Sequence, residues 1–282
     1  MAKRKQNNEL VRPFVKWVGG KRQLLSEIER YLPVRISRYY EPFVGGGAVL
    51  FHLQPRRAVI NDSNEELVNL YEVISNAPNE LISDLKRHKN EEDYFYEIRG
   101  LDRDKSVYAE LNNIQRASRI LFLNKTCYNG LFRVNSSGEF NSPFGRYKNP
   151  NIVNEVTIRA VSNYLSANDI QILNTDYEKS LANIRKGSFV YFDPPYDPVS
   201  NSANFTGYTK GGFDQEEQER LKSVCDWLDS KGVRFMLSNS ATDFIRDLYA
   251  RYYLVIVHAA RAVNSNPSER GKITELLIRN YE

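Results

Sequence analysis

Residues 189–198 read FVYFDPPYDP: an apolar strand runs into two prolines bracketed by a carboxylate and a phenol. Proline fixes φ and carries no N–H, and Pro194 biases Asp193 toward an extended backbone. The loop is therefore rigid and brings no donor of its own to compete for its acceptors. The Asp193 carboxylate and the Pro194 carbonyl can converge on a planar amino group, while Tyr196 offers a ring face for stacking. A nucleobase amine meets that description. Its lone pair is delocalised into the ring, and accepting both of its N–H bonds frees that pair. This is preorganisation toward charge that develops in a transition state. A rigid turn closing a buried strand would explain the prolines by themselves, but other residues upstream tell against so plain a reading.

In EPFVGGGAVLF, three consecutive glycines stand between a strand and a helix. They permit a tight turn and a close approach to a ligand, with the free N–H groups of the helix behind them. The dinucleotide pattern G-x-G-x-x-G and the P-loop lysine are both missing, so a nucleotide-like ligand without a pyrophosphate fits better. Asp62 ends the next strand, where an acid can hold ribose hydroxyls at the carboxyl edge of a parallel sheet. Asp176, in NTDYE, ends another. FVKWVGGKRQLL sets Lys16, Trp17 and Lys21 around Gly19-Gly20, an aromatic, cations and a turn that could cradle a zwitterion.

The elements that carry these groups follow from pattern. RYYEPFVGGGAVLFHL reads as strand, turn and helix, and RRAVIND as a short strand. Ser63-x-x-Glu66 is a capping box that opens a helix through Leu67, Leu70 and Tyr71. Helices are predicted over 78–90 and 105–125; in the second, Leu111, Ile114, Ala117 and Leu121 recur at helical spacing. YNGLFRVNSSGEFNSPFGRYKNP holds two extended pieces around Ser136-Ser137-Gly138, a hairpin over about 131–147. Beyond it come strands near 170–173 and 189–192, a helix over 214–230, a strand over 233–238, a helix over 242–250, and strands over 253–257 and 273–279. Such alternation means a mostly parallel sheet covered on both faces. The expected fold is α/β, with a catalytic core from 1–63 and 166–282 and a mainly helical second domain, 64–165, inserted into it.

Composition bounds the function. The 282 residues are 41% hydrophobic and 26% charged, ordinary for a globular protein. No apolar run approaches the ~20 residues of a membrane span, and the start MAKRKQNNEL is no secretory signal. Cys127 and Cys225 lack metal or redox spacing, which fits a reducing cytoplasm. His52, His88 and His258 have no HxxxH or CxxC neighbour, so no metal is expected. The net charge of +4 is unevenly spread: residues 1–40 hold ten basic and three acidic side chains, 61–100 four and ten, 115–150 six and one. Two basic zones flanking an acidic one suit a polyanionic partner.

Taken together, FVKWVGGK, EPFVGGG, YNGLFR, FNSPFGRYKNP and FVYFDPPY make the chain resemble the N6-adenine DNA methyltransferases of the Dam type, in the α motif order, over nearly its whole length. It is most similar to those that accompany restriction systems. The resemblance implies a Rossmann-like core that uses S-adenosylmethionine, without a metal, to methylate the flipped adenine of GATC in double-stranded DNA; a different DNA site is the alternative. It also implies that Trp17, Lys21, Phe43, Gly45, Asp62, Asp176 and Asp193 contact the cofactor. Asp193, Pro194 and Tyr196 would engage the flipped adenine. Tyr128 would wedge into the duplex beside Asn129 and Leu131, Arg133 would read a guanine, and Lys16 another base pair. Pro143, Arg146 and Lys148 would line the hairpin. Cytosine C5 chemistry is disfavoured, since it needs a cysteine after a proline and the two cysteines follow Thr126 and Val224. An RNA substrate is disfavoured because the deep, narrow groove of its duplex is poorly readable. A DNA-binding regulator without catalysis would not need Asp62 or an intact Asp193-Pro194-Pro195-Tyr196.

Overall fold

A computed structural model describes residues 7–17, 19–198, 213–260 and 272–282. Seven strands form one sheet in the order β3-β2-β1-β4-β5-β7-β6. They are β1 (Tyr39–Glu41), β2 (Arg57–Asn61), β3 (Asp169–Leu173), β4 (Phe189–Phe192), β5 (Arg234–Ser240), β6 (Tyr253–Ala260) and β7 (Lys272–Arg279). The first five in spatial order run parallel, and β7 inserts antiparallel to both β5 and β6. This mixed α/β arrangement is consistent with a Rossmann-like methyltransferase fold.

Period-two alternation builds a core on each side. Phe189 and Tyr191 join Tyr39 and Ile60 on one face, while Val190 and Phe192 join Tyr40 and Val59 on the other. All four β4 residues are buried, which is why this strand reads as a continuous apolar run. The second face is covered by α9 (Gln215–Ser230) and α10 (Asp243–Leu248), through Leu221, Cys225, Leu228 and Ile245. The first face receives α2 (Ala48–Leu53) and a helical block between β2 and β3. That block comprises α3 (Glu65–Asn76), α4 (Pro78–Leu85), α5 (Glu92–Gly100), α6 (Lys105–Glu110), α7 (Asn113–Thr126) and α8 (Glu155–Ser166). One hydrophobic core runs from Tyr39 and Phe51 through Tyr71 and Tyr164 to Leu85, Phe95 and Phe122. No described helix is long and apolar enough to cross a membrane.

The chain leaves β1 for β2 and β3 on one side and returns to β4 on the other. The carboxyl ends of β1 and β4 therefore flank the point where strand order reverses, the usual place for a ligand in such sheets. The glycine turn follows β1 and Asp193 follows β4, so both motifs reach this crevice.

Several local expectations need correction. The cap of α3 is Asn64, whose side chain accepts from Leu67 N–H, not Ser63. Asp62 already accepts from Asn64 N–H, and that local turn moves the helix start one residue on. The helix expected over 105–125 is two: Leu111 is extended, and Asn112 with Gln115 forms a capping box that opens α7. The predicted helix over 78–90 ends at Leu85, and α5 follows it. In the stretch 131–147 the chain does double back, but through the single bridges Val134–Phe140 and Cys127–Phe144 instead of regular strands.

Candidate active site

At the end of β4 the Asp193 carboxylate meets Lys21, whose Nζ lies 2.8 Å from Oδ1. Lys21 is buried and also donates to the Gly19 carbonyl at 2.7 Å. Its ammonium sits 4.5 Å from the centre of the Tyr196 ring, within cation–π range. The Tyr196 hydroxyl donates to Glu275 Oε2 at 2.7 Å. Glu275 comes from β7, where it is buried opposite Ser240 of β5. Two carboxylates and one ammonium thus gather around one phenol.

Burial pushes the Asp193 carboxyl up to about 6, against the opposing pull of Lys21. Tyr196 is held well above the usual phenol range by burial, then by Asp193 and Glu275. Its hydroxyl therefore keeps its proton near neutral pH.

A buried amide network fixes the loop beyond. Asn239 Oδ1 accepts from Asp197 N–H at 3.1 Å, and its Nδ2 donates to Gln218 Oε1 at 3.0 Å. Gln218 Nε2 donates to the Pro195 carbonyl at 3.0 Å. Ser240 and Thr242 hydroxyls donate to the Asp197 carbonyl and carboxylate. Pro195 thereby has its acceptor occupied, whereas the Pro194 carbonyl accepts from no described residue. Asp193 Oδ2 and this carbonyl are the acceptors left for an incoming donor.

Across the crevice, Gly45 N–H donates to Asp62 Oδ2 at 3.0 Å and Asn64 N–H to Oδ1 at 2.9 Å. Burial raises the Asp62 carboxyl despite these bonds. The glycines are required by contact as well as by turn geometry. A Cβ on Gly45, at φ 48°, would lie 2.9 Å from the Trp17 ring, and one on Gly47, at φ 72°, would lie 2.5 Å from the Tyr71 hydroxyl. Phe43, half-buried, packs against Tyr177, Phe192 and Phe213. Asp176 is joined to this aromatic wall through its neighbour Tyr177, and its carboxylate accepts from Arg220 of α9 at 2.7 Å.

The D12 class N6 adenine-specific DNA methyltransferase family matches residues 17–263. The chain belongs to that family. It is 44% identical over 279 residues to the Type II methyltransferase M1.LlaDCHI of Lactococcus lactis subsp. cremoris, with 98% of each chain covered. It is 41% identical to the Type II methyltransferase M.MjaIII of Methanocaldococcus jannaschii, covering 96% of this chain and 99% of that one. Identity to the DNA adenine methylase of Escherichia coli (strain K12) is 34%, with 94% of each covered.

D12 class methyltransferases draw their methyl group from S-adenosylmethionine, and the residues present fit such a ligand. The glycine turn offers backbone without side chains, Asp62 keeps lone pairs free beside it, and the Phe43 wall suits a purine face. DNA is the class substrate. Of the residues expected to face it, Tyr128 is 59% exposed, and Pro143, Arg146 and Lys148 are exposed too. Asn129 adopts φ 58° in a turn closed by Gly130, and Leu131 is half-buried. Pro143 O accepts from Tyr128 N–H at 2.8 Å, which ties these two segments together. Arg146 pairs with Glu92 at 3.1 Å. Arg133 Nε donates to Asn141 Oδ1 at 2.6 Å, so its guanidinium is braced across the loop. The Lys16 side chain is exposed, while its backbone is held by Asn124. Cys127 is free and buried, and burial pushes its thiol up to about 12, which removes it as a nucleophile.

Sequence reasoning missed Glu275, Asn239, Gln218 and Asn124. Asn239 alone left a signal, as a polar residue in LSNS at the carboxyl end of a predicted strand.

Two expected outcomes arise from this geometry. If Asp193 must be ionised to accept, kcat/KM should fall tenfold per pH unit below about 6 and stay level above 7. Stability responds in the opposite sense. A carboxyl raised above its ordinary 3.8 disfavours folding once ionised, so its penalty is full above about 6 and lifts as pH falls toward 4. A pH–rate profile with no limb between 5 and 7 would separate Asp193 from the rate. The second outcome concerns Tyr196. Tyr196→Phe should retain most turnover while Tyr196→Ala loses about 5- to 150-fold, the equivalent of a 1–3 kcal/mol base stack. Steady-state methyl transfer decides it, and equal damage in both would assign the work to the hydroxyl that Glu275 holds.

Proposed function

We propose that this enzyme methylates N6 of the adenine in double-stranded GATC, after turning that adenine out of the helix, within a restriction-modification setting. The contact that carries the reading is the short segment 16–21. Its Lys21 reaches Asp193, and its Trp17 stacks on Phe132 of the YNGLFR segment, centroids 4.6 Å apart at 22°. One stretch of backbone therefore links the amine acceptors to the residues expected to read DNA. The restriction-modification setting is supported by the relatives at 44% and 41% identity, both Type II methyltransferases.

Gly45, Asp62 and the Phe43 wall would hold S-adenosylmethionine, which would supply a methyl group activated by a sulfonium. In this reading Asp193 Oδ2 and the Pro194 carbonyl accept the two N–H bonds of the adenine amine and draw its nitrogen toward tetrahedral geometry. Asp193 is poised to take the proton that the nitrogen sheds on methylation. Tyr196 stacks on the extruded base, held edge-on by Glu275. The helical block 64–165 with its loop at 131–147 serves as the target-recognition domain. Within it Tyr128 fills the gap left by the adenine, which offsets part of the unstacking cost. Arg133 donates to guanine, Lys16 reads an outer base pair, and Asn129, Leu131, Pro143, Arg146 and Lys148 complete the contact.

Nucleoside mass spectrometry after incubation with duplexes that differ at one base tests this reading. N6-methyladenine should form only in the GATC duplex. Methylation of another word with GATC untouched would replace the site and keep the chemistry; N4-methylcytosine would overturn the chemistry.

A further inference from the structure

Asn124, near the end of α7, is a buried amide that spends its hydrogen bonds on two distant segments of main chain. Its Oδ1 accepts from Lys16 N–H at 2.9 Å, and its Nδ2 donates to the carbonyls of Lys16 at 2.8 Å and Gly130 at 3.0 Å. An amide at 2% exposure that binds both backbone groups of Lys16 acts as a strand partner would. The neighbouring contacts are equally close. A Cβ on Gly130 would lie 3.0 Å from Lys16 Cδ; Trp17 stacks on Phe132, and a Cβ on Gly45 or Gly46 would lie 2.9 or 3.1 Å from its side chain. Gly45 belongs to the turn that borders the cofactor crevice, and Gly130 closes the turn that carries Tyr128 and Asn129. A shift of Trp17 would disturb its stack with Phe132, and a shift of Lys16 would strain its hydrogen bonds to Asn124.

We propose that Asn124 and the Trp17–Phe132 stack couple the two sites, so that occupancy of the glycine turn and reading of DNA by the 128–133 segment strengthen each other. Asn124 and Phe132 are positioning residues in this scheme; neither touches the reacting atoms. The inference rests on the functional reading above. It follows that a cofactor analogue should raise affinity for the duplex, and that the duplex should raise affinity for the analogue by the same factor, because coupling between binding equilibria is reciprocal.

The test uses the full chain, sinefungin as analogue, and a 20-base-pair duplex with one GATC. Fluorescence anisotropy gives duplex affinity with and without saturating sinefungin, and calorimetry gives the reverse pair. Wild type should show a coupling factor of about tenfold, inside the 5- to 150-fold range of such effects. Asn124→Asp keeps the acceptor for Lys16 N–H and loses both donations; Phe132→Leu keeps apolar bulk and loses the stack. Each should cut the factor below about threefold, measured at a temperature where circular dichroism shows it folded. Val224→Ala, in the core on the far face of the sheet, is the control for general destabilisation and should keep the wild-type factor. Coupling of full size in both positioning variants, equal loss in Val224→Ala, or a wild type that binds both ligands independently would each overturn the inference. A wild type that binds neither ligand would instead sink the functional reading beneath it.

Discussion

Asp193→Ala is expected to reduce methyl transfer at least a hundredfold while leaving the fold in place. The substitution removes one of the two acceptors proposed for the adenine amine, and loss of a single preorganised group typically costs about 10²–10³ in kcat. It also strands the Lys21 ammonium, which is only 6% exposed and would keep the Gly19 carbonyl as its partner. A drop in melting temperature is therefore expected beside the lost activity, since unpairing a buried charge is costly. Asp193→Asn separates the two effects. The amide preserves shape and can still accept from Lys21, but it presents a donor where the amine needs an acceptor and cannot take a proton. Its stability should approach wild type and its turnover should not. Turnover of either variant within tenfold of wild type would remove Asp193 from the chemistry.

The second large effect is on sequence discrimination. Arg133→Ala should cost about 1–3 kcal/mol at one base pair, the usual worth of a bidentate contact to guanine, or about 5- to 150-fold. The guanidinium is half-buried and braced by Asn141 through Nε and one N–H of Nη2, with Nη1 and the second N–H of Nη2 left for a partner. Asn141→Ala should therefore relax the same position, to a smaller degree, by releasing the brace. Lys148→Ala differs in kind: an exposed lysine on phosphate should weaken all sequences alike and lower the salt slope by roughly one. Methylation rates on GATC and its single-base variants, at several salt concentrations, distinguish these patterns. Unchanged discrimination at every position in Arg133→Ala would end its role as a reader.

Much of the sheet was legible because its signals are local. FVYF declares a strand buried on both faces, and RRAVIND ends in the acid that holds Gly45 N–H. The cluster of Lys21, Asp193 and Tyr196 was legible as three residues, but their arrangement was not. Lys21 occupies one oxygen of the carboxylate that the sequence assigns to the cofactor and the amine. Glu275 was hidden because its partner Tyr196 lies 79 residues away, and Asn124 because Lys16 lies 108 away. Each looks like an ordinary polar residue in a strand or a helix. The helical block misled at its joints. Leu111 fits the apolar period of a single helix, yet Asn112 caps a new one, since a side-chain cap there satisfies N–H groups that periodicity does not count.

The most direct measurement is digestion of genomic DNA from a methylation-deficient host that expresses the protein. One nuclease should cut only unmethylated GATC and another only GATC methylated at adenine. Protection from the first with full cutting by the second is the expected result, and expression of Asp193→Ala should reverse both. Full cutting by the first and none by the second, with the wild-type protein folded and present, would contradict GATC adenine methylation by this chain.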